Sequence, residues 1–424
     1  MPLSRALIES IRERVADASD IWQTMDVELD HSLDLLLKAA GCDVAPMVYF
    51  STPCKEIEYL GLGQWVVFNN QSAKAFLSQT TSKDVVLMGG QAFDSSKLKP
   101  GMPAEWWVLP VAVIIQTPKK RAIRVMIPPN LDDAWTTIET ILLQWVDAVA
   151  QPEHHGAYTG VEHRPKKNKW LSTIDDVKNL FQTTGLEKVV MARESQFVFD
   201  APLNPFAMMA VIQRHGPELH HFVMRFSSDE AFIGGTPERL FEINDGGIVS
   251  DAIAGTIRND AGATELLTRH KDASEHRYVS DFILRAMQGL CDGSITFKNK
   301  PRLLTLRVIS HLMQTFKGVL RPGVGPFDAM AALHPTPAVA GTPTNLAMGA
   351  IAQLEPFSRK WYAGPMGVVS ASQSTVVVAI RSGLVKGSNV TLFAGAGIVA
   401  ESDANSEWDE LNAKISGFEA LFRS

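Results

Sequence analysis

Short strand-like runs follow one another along this chain without an internal repeat and without a regular alternation of strand and helix. Regular alternation is the pattern of a parallel βαβ sheet. Its absence favours an α+β fold, in which helices pack against large sheets. After residue 170 the strand-like runs cover 186–199, 221–226, 231–233, 248–253, 303–309, 367–369, 376–381 and 390–394, and the helix-like runs cover 174–182, 264–287 and 407–422.

The composition indicates a globular protein with a small ligand. Of the 424 residues, 46% are hydrophobic, which is enough for a large core in one domain or in about two to three smaller ones. The formal charge is -6 and no face rich in Lys and Arg stands out. This argues against nucleic acid or an anionic membrane as the main partner.

The cysteines and the N-terminus predict a cytoplasmic protein. Cys42, Cys54 and Cys291 are odd in number, far apart and without the spacing of metal ligands, as expected of thiols in a reducing compartment. The first 15 residues have apolar side chains at helical spacing. They lack the unbroken apolar segment of a signal peptide.

A polar stretch divides the chain into two parts. Residues 1–155 hold few clustered polar groups, and we interpret them as part of the sheet scaffold. Their most apolar run, 106–115, is far shorter than the roughly 20 residues of a membrane span, so we expect a buried strand there. The stretch 156–169 contains Gly, Pro and a basic cluster, which is typical of a solvated loop. The candidate site residues all lie in the second part, 156–424.

Two acidic pairs are candidates for holding a metal ion. Glu407, Glu410 and Lys414 stand at i, i+3 and i+7, and therefore share one face of the C-terminal helix. Asp272 and Glu275 form a similar pair on another helix. Two acidic helices that face each other would suit Mg²⁺, which prefers a few carboxylate oxygens. Each pair alone is more often a solvated face, and Glu410 with Lys414 has the spacing of an ordinary salt bridge.

Two glycines and two polar side chains could bind an anion. Gly395 and Gly397 stand at a predicted strand end, where missing side chains let backbone N–H groups approach a ligand. Arg381 closes a predicted strand, and Tyr362 follows a Trp. A guanidinium fork and a phenol are suited to a carboxylate. A bare glycine turn is the simpler interpretation of the first pair.

Lys188 and Glu238 are the candidates for base and acid. Lys188 begins a predicted strand, and Glu238 lies in the turn GGTPERL. A desolvated lysine can lose its proton near neutral pH, and a poorly solvated carboxyl can keep one. The alternative interpretation is a surface lysine and a turn carboxylate.

Read together, these segments resemble the family of chorismate-utilising enzymes, which includes anthranilate, aminodeoxychorismate, isochorismate and salicylate synthases. The resemblance covers residues 170–422, while the N-terminal part matches loosely, as that part varies widely in the family. The motifs, in chain order, are EKVVMAR, FIGGTPERLFEI, AIAGT, KDASEHRYVSDF, VISHLMQTF, HPTPAVAGTP, WYAGPMGVV, VAIRSG and FAGAGIVAESDANSEWDELNAK.

The resemblance implies a single large domain, in which two orthogonal, mostly antiparallel sheets enclose the active site and helices cover the outside. Residues 1–155 would be the variable part of that scaffold, and 156–424 the chorismate-binding catalytic region. Glu275, Glu407 and Glu410 would hold Mg²⁺ against the ring carboxylate of chorismate, with Asp272 in support. The residues implied to contact the substrate or order its surroundings are Gly255, Thr256, His311, Tyr362, Arg381, Lys414 and the N–H of Gly395.

Within the family the nucleophile distinguishes the members. Aminodeoxychorismate synthases carry a lysine where this chain has Ala254, and ammonia-using anthranilate synthases lack the strand-edge lysine that is present here as Lys188. The resemblance therefore implies water as the nucleophile. Lys188 in its neutral form would activate the water, and Glu238 would protonate the leaving hydroxyl. The expected activity is a reversible, Mg²⁺-dependent conversion of chorismate into isochorismate, as in the menaquinone-type members of the family.

Three alternatives remain. A salicylate synthase would make isochorismate and then eliminate pyruvate. Ile257 speaks against it, because salicylate and anthranilate synthases usually have arginine after AGT. An ammonia-using component would need a glutaminase partner, which we do not expect here. A non-catalytic chorismate-binding subunit would have no need of the full acid, base and metal set.

Overall fold

The computed structural model describes residues 5–15, 21–29, 34–95, 98, 103–129, 134–151, 158–259, 263–268, 270–306 and 309–419. Several helices begin at a residue whose side chain caps them. For example, the Asn204 side chain accepts the N–H groups of Phe206 and Ala207, and Pro205 occupies the first turn. Among the described residues the α-helices are α1 (Arg5–Val15), α2 (Leu35–Ala40), α3 (Asn70–Gln79), α4 (Ala134–Asp147), α5 (Lys167–Thr183), α6 (Pro205–His215), α7 (His270–Leu290), α8 (Pro326–Leu333), α9 (Thr344–Leu354) and α10 (Ala404–Glu419).

The strands of the first sheet come from most of the length of the chain. Several of its strands are buried along their whole length, as their apolar runs predict. Its strands in spatial order, within the described part of the chain, are β1 (Gln23–Glu28), β8 (Arg121–Ile127), β7 (Ala112–Gln116), β3 (Glu58–Leu62), β2 (Met47–Ser51), β11 (His220–Arg225), β12 (Glu230–Thr236), β21 (Ser382–Lys386), β22 (Asn389–Ile398), β10 (Lys188–Phe199) and β18 (Gly341–Thr342), with β9 (Tyr158–Arg164) also beside β10.

The second sheet has β15 (Cys291–Phe297), β17 (Ile309–Leu320), β14 (Gly247–Arg258), β13 (Arg239–Asn244), β20 (Gln373–Val378), β19 (Pro365–Ser370), β5 (Val86–Gln91), β6 (Glu105–Leu109) and β4 (Val66–Phe68), with β16 (Arg302–Thr305) beside β17. Every pairing between described strands is antiparallel. The predicted α+β class with large, mostly antiparallel sheets is confirmed.

The N-terminal and C-terminal parts of the chain share both sheets. Strand β2 pairs with β11 in the first sheet, and β5 pairs with β19 in the second. One connected cluster of buried apolar side chains includes residues of both parts. The predicted boundary between residues 155 and 156 lies outside the described residues.

Two local predictions were wrong. The apolar run 106–115 is not one strand, because it divides at Pro110 into β6 of the second sheet and β7 of the first. Proline has no N–H to donate to a sheet, so the chain changes sheets there. The predicted loop 156–169 contains the exposed strand β9 and the start of α5. No helix in the described ranges is long and apolar enough to cross a membrane.

The chain also changes sheets at two further places that lie side by side. It leaves the first sheet after β12 through Pro237 and Glu238, and it returns from β20 to β21 through residues 379–381. The N–H of Gly235 donates to the carbonyl of Arg381 (3.1 Å), and the N–H of Val378 donates to the carbonyl of Glu238 (2.9 Å). We call these two segments the crossovers. The fold thus brings Glu238 and Arg381 together although they are far apart in sequence.

Candidate active site

A cavity lies where the crossovers meet strands β10, β14, β17 and β22 and helices α7 and α10. Most of the predicted site residues face this cavity, although they come from distant parts of the chain. Those that line it are Glu238, Gly255, Thr256, Glu275, His311, Tyr362, Arg381, Gly395, Glu410 and Lys414.

Glu238 supplies a buried carboxyl on the first crossover. Only 5% of the residue is exposed. Burial raises its pKa to about 8, against the opposing effect of three nearby cations, Lys188, Lys414 and Arg381. At neutral pH this carboxyl therefore carries a proton, and it can donate that proton as a general acid.

Arg381 lies on the second crossover. Strand β20 ends at Val378, so Arg381 does not close that strand as the sequence predicted. Its backbone is in the left-handed region, with φ 49°, which is uncommon for a residue other than glycine. Burial lowers the pKa of its guanidinium to about 10, so the group is still a cation at neutral pH.

His311 of β17 connects Arg381 to strand β14. Its Nε2 lies 2.8 Å from Nη2 of Arg381 and accepts that hydrogen bond, so the ring proton is on Nδ1. Nδ1 lies 3.2 Å from the carbonyl oxygen of Gly255 and 3.1 Å from Oγ1 of Thr256. Burial lowers the pKa of His311 well below its usual range, and the positive charges of Arg381 and Lys414 lower it further. The imidazole is therefore neutral.

Two lysine–carboxylate pairs lie at helices α7 and α10. Glu275, Glu410 and Lys414 line the cavity, whereas Lys188 is buried and is not among the described residues that line it. Lys188 begins β10 with a fully buried side chain, and its Nζ lies 3.0 Å from Oε1 of Glu275 on α7. This contact is an ion pair that is not aligned as a hydrogen bond. On α10, Nζ of Lys414 lies 2.7 Å from Oε1 of Glu410 and donates to the carbonyl of Gly395 at 2.8 Å. Each carboxylate that faces the cavity here thus has a cationic partner.

Gly395 and Gly397 leave space for these side chains. A methyl group on Gly397 would lie 2.4 Å from Oε1 of Glu275 and 3.1 Å from Cε of Lys188, and one on Gly395 would lie 2.8 Å from the hydroxyl of Tyr362. Both glycines lie within β22 near its end at Ile398, so the simpler interpretation, a bare glycine turn, does not apply. Because neither residue has a side chain, there is room for the ion pair of Lys188 with Glu275 and for the hydroxyl of Tyr362. Whether the N–H of Gly395 binds an anion stays a prediction.

Tyr362 forms part of the cavity wall. Its ring stacks on Phe393 with ring centres 5.4 Å apart. Burial raises the pKa of its hydroxyl, so the group stays protonated and can donate a hydrogen bond.

Asp272 and Glu407 are buried but are not among the described residues that line the cavity. Gly255 has φ 75°, and a methyl group on it would lie 3.1 Å from Cβ of Asp272. The glycine thus lets the start of α7 approach β14 closely. Glu407 lies in the first turn of α10. Their roles beside a metal ion stay predictions.

Glu275 and Glu410 fit a hard divalent cation. They are oxygen donors from two helices on one cavity, and Mg²⁺ is usually held by one or two carboxylates, with water and substrate oxygens completing its shell. No three acidic, His or Cys side chains in the described ranges are grouped closely enough to form a metal site. A cation here would therefore need ligands from water or from the substrate.

A buried ion pair that no sequence motif indicated lies behind the cavity wall. Arg359 donates from Nε to Glu355 (2.9 Å), from Nη1 to the carbonyl of Val339 (2.8 Å) and from Nη2 to that of Val190 (2.6 Å). Glu355 accepts the N–H of Ala192 at 2.8 Å. This pair fills the gap on β10 between its pairings with β18 and β9. The i,i+4 spacing alone does not distinguish such a pair from an exposed one.

Comparison with known proteins places these features in a family. Residues 22–422 match the family described as chorismate binding enzyme. Isochorismate synthase MenF of Escherichia coli (strain K12) is 31% identical over 409 residues, which cover 93% of this chain and 92% of that protein. Chloroplastic isochorismate synthase 2 of Arabidopsis thaliana is 36% identical over 266 residues, or 60% of this chain and 47% of that protein.

Solved structures agree with this assignment. The structure of MenF, the menaquinone-specific isochorismate synthase from Escherichia coli, has a TM-score of 0.90 and 28% identity, and the match covers 99% of each chain. Anthranilate synthase component I from Streptococcus pneumoniae TIGR4 shares the fold, with a TM-score of 0.71 and 20% identity over 93% of this chain and 92% of that one. The chain belongs to the family of chorismate-binding enzymes.

Proposed function

We propose that this enzyme is an isochorismate synthase, which moves a hydroxyl group from carbon 4 to carbon 2 of the chorismate ring. The observation that carries the proposal is the buried carboxyl of Glu238, which lines the same cavity as the guanidinium of Arg381 and whose pKa burial raises to about 8. Hydroxide is a poor leaving group, so loss of the carbon 4 hydroxyl requires a proton donor. Similarity over most of the chain to isochorismate synthase MenF supports this activity.

In the proposed reaction Lys188 first loses the proton of its ammonium form, in which it pairs with Glu275. As the free amine it then takes a proton from a water molecule, and the water oxygen bonds to ring carbon 2. The double bond between carbons 1 and 2 moves to carbons 1 and 6, and the one between carbons 5 and 6 moves to carbons 4 and 5. The carbon 4 hydroxyl leaves with its bonding electrons and accepts the proton of Glu238. One water enters and one leaves, and the proton gained by Lys188 returns through solvent to Glu238 before the next turnover. The net reaction is therefore an isomerisation.

The cationic side chains that line the cavity suit the carboxylates of the substrate. Arg381 and Lys414 suit the enolpyruvyl carboxylate, because both are cations that face the cavity. The neutral His311 lies between Arg381 and Thr256, beside the position proposed for the departing hydroxyl. These contacts hold the substrate in a reactive orientation, which lowers the entropic part of the barrier.

We also propose Mg²⁺ as the cofactor, with Glu275 and Glu410 among its ligands and with Glu407 and Asp272 in support. When bound, the cation would neutralise the ring carboxylate and draw electron density towards it. Its fit rests on the oxygen donors that two helices present to one cavity. The similarity to a menaquinone-specific relative supports a place for the product in menaquinone synthesis.

The test is to incubate the purified protein with chorismate and Mg²⁺, without any ammonia source, and to separate the products by chromatography. We expect isochorismate, in equilibrium with chorismate, and loss of product when EDTA is present. Salicylate with pyruvate would identify a salicylate synthase instead. Turnover only after addition of ammonia would indicate an amine-forming component, and binding without turnover would indicate a non-catalytic subunit.

A further inference from the structure

Thr236 is a buried hydroxyl behind the cavity. It ends strand β12, its exposed fraction is 0%, and it is not among the described residues that line the cavity. Its Oγ1 donates to the carbonyl oxygen of Val378 at 2.8 Å and accepts the N–H of Glu238 at 3.1 Å. The hydroxyl thus uses its donor and an acceptor position on two separate segments of backbone.

One of these segments is the first crossover, and the other ends where the second crossover begins. The next residue, Pro237, has no N–H, so the N–H of Glu238 is the first donor of the first crossover. Val378 is the last residue of β20, immediately before the crossover that carries Arg381. Backbone hydrogen bonds already hold the crossovers side by side. The Thr236 hydroxyl adds a hydrogen bond with the backbone N–H of Glu238, the proposed proton donor.

We propose that Thr236 is a positioning residue, whose hydroxyl fixes the backbone of Glu238 against the Arg381 crossover and thereby orients the Glu238 carboxyl towards the substrate. This inference rests on the proposed function, in which Glu238 is the proton donor. Proton transfer depends on a separation of about 3 Å between heavy atoms. A small displacement of the carboxyl therefore lowers the rate more than it lowers affinity.

Two substitutions separate the hydroxyl from the methyl group of the same side chain. Thr236→Val keeps the shape and removes both hydrogen bonds, whereas Thr236→Ser keeps the hydroxyl and removes only the methyl group. If Thr236 acts by positioning, Val is the damaging change. If it acts by packing, Ser is the damaging change.

With chorismate as substrate, we expect Thr236→Val to lower kcat about 10- to 100-fold, with KM changed less than about threefold. Thr236→Ser should keep kcat within about threefold of the native enzyme. A second readout is the pH profile of kcat/KM. Unsatisfied backbone groups draw in water, which relieves the burial of Glu238 beside Lys188, Lys414, Arg381 and Tyr362. Its pKa then falls, so the alkaline limb should move to lower pH in the Val variant alone.

Native kcat in Thr236→Val, or a larger loss in Thr236→Ser than in Thr236→Val, would overturn the proposal. Should the Val variant fail to fold, Thr236→Ala and Thr236→Ser give the same comparison, since they differ only by the hydroxyl. Infrared titration of the Glu238 carboxyl, with Glu238→Gln subtracted, needs no turnover. A native enzyme that leaves chorismate unchanged would refute the proposed function, while an unshifted carboxyl titration in Thr236→Val would refute the role of Thr236.

Discussion

Two sets of residues at the cavity accommodate buried charge differently. We call them the crossover end, which contains Glu238, Arg381 and His311, and the helix end, which contains Lys188, Glu275, Glu410 and Lys414. At the crossover end, Glu238 is protonated and His311 is neutral, because burial shifts both pKa values away from the charged forms. At the helix end the charges remain, and each carboxylate faces a lysine. Lys188 pairs with Glu275, and Lys414 pairs with Glu410.

The difference indicates separate tasks for the two ends. A neutral acid can release a proton into the reaction and is suited to bond breaking. Matched ion pairs have no net charge, and their members can exchange one ionic partner for another, such as a substrate carboxylate or a divalent cation. In the proposed reaction the crossover end therefore supplies the proton for the leaving hydroxyl, and the helix end activates water and presents the carboxylates for a cation.

The largest effect is expected at the helix end. Lys188→Ala removes the proposed base and should lower kcat about 10⁴-fold, while calorimetry still detects chorismate binding. Lys386→Ala is the matched control. It removes an exposed lysine, 3.5 Å from Glu230, and should leave kcat unchanged. Full activity in Lys188→Ala would exclude this lysine as the base.

At the crossover end, Glu238→Gln should lower kcat about 10³-fold. In the native enzyme Glu238 must be protonated to act, and its pKa is raised to about 8. Activity is therefore present below about pH 8 and lost above it. The pH profile of kcat/KM should show this alkaline limb, and Glu238→Gln should lack it.

Glu242→Gln, on the neighbouring strand β13, is the matched control for Glu238→Gln. Its carboxylate is 44% exposed and pairs with Arg239. We expect an unchanged alkaline limb in this variant. A limb that persists in Glu238→Gln would assign the titration to another group.

Glu410→Gln should raise the Mg²⁺ concentration for half-maximal activity about 10- to 100-fold and weaken chorismate binding with it. The reason is that the amide is neutral and a weaker ligand for a hard cation. Asp409→Asn removes an exposed carboxylate from the same helix turn and serves as the control. Equal Mg²⁺ dependence in the two variants would argue against Glu410 as a ligand.

The sequence predicted the chemical groups of the site better than the contacts that hold them. Lys188 and Glu238 stand in motifs with a recognisable pattern, and the fold class follows from the many short strands. Thr236 stands in the same motif as Glu238, but neither its sequence context nor that of Arg359 and Glu355 indicates which atoms these side chains contact. They act through backbone atoms of distant segments; Glu355, for example, bonds the N–H of a residue 163 positions away.

The local errors have a related cause. We predicted that run 106–115 is one strand and that Arg381 ends another. In both places the chain instead passes from the second sheet to the first, at Pro110 and through residues 379–381. Strand propensity reports burial on a pleated surface, and it contains no information on which of two sheets a residue joins. The site lies at two of these changes of sheet, so its geometry depends on tertiary structure.

We expect the smallest effect from a substitution that fills the space beside Glu275 and Lys188 at the helix end. Gly397→Ala places a methyl group 2.4 Å from Oε1 of Glu275 and 3.1 Å from Cε of Lys188, so the pair must move. We expect about a 10-fold loss of kcat/KM, since the side chains can shift by rotation but no longer occupy their native positions. Gly349→Ala in α9, where an added methyl group meets nothing within 4 Å, should leave activity unchanged. Equal values of kcat/KM for the two variants would show that activity does not depend on the 3.0 Å contact of Lys188 with Glu275. The helix end would then tolerate displaced side chains, and the two ends would differ in charge but not in how exactly their side chains must be placed.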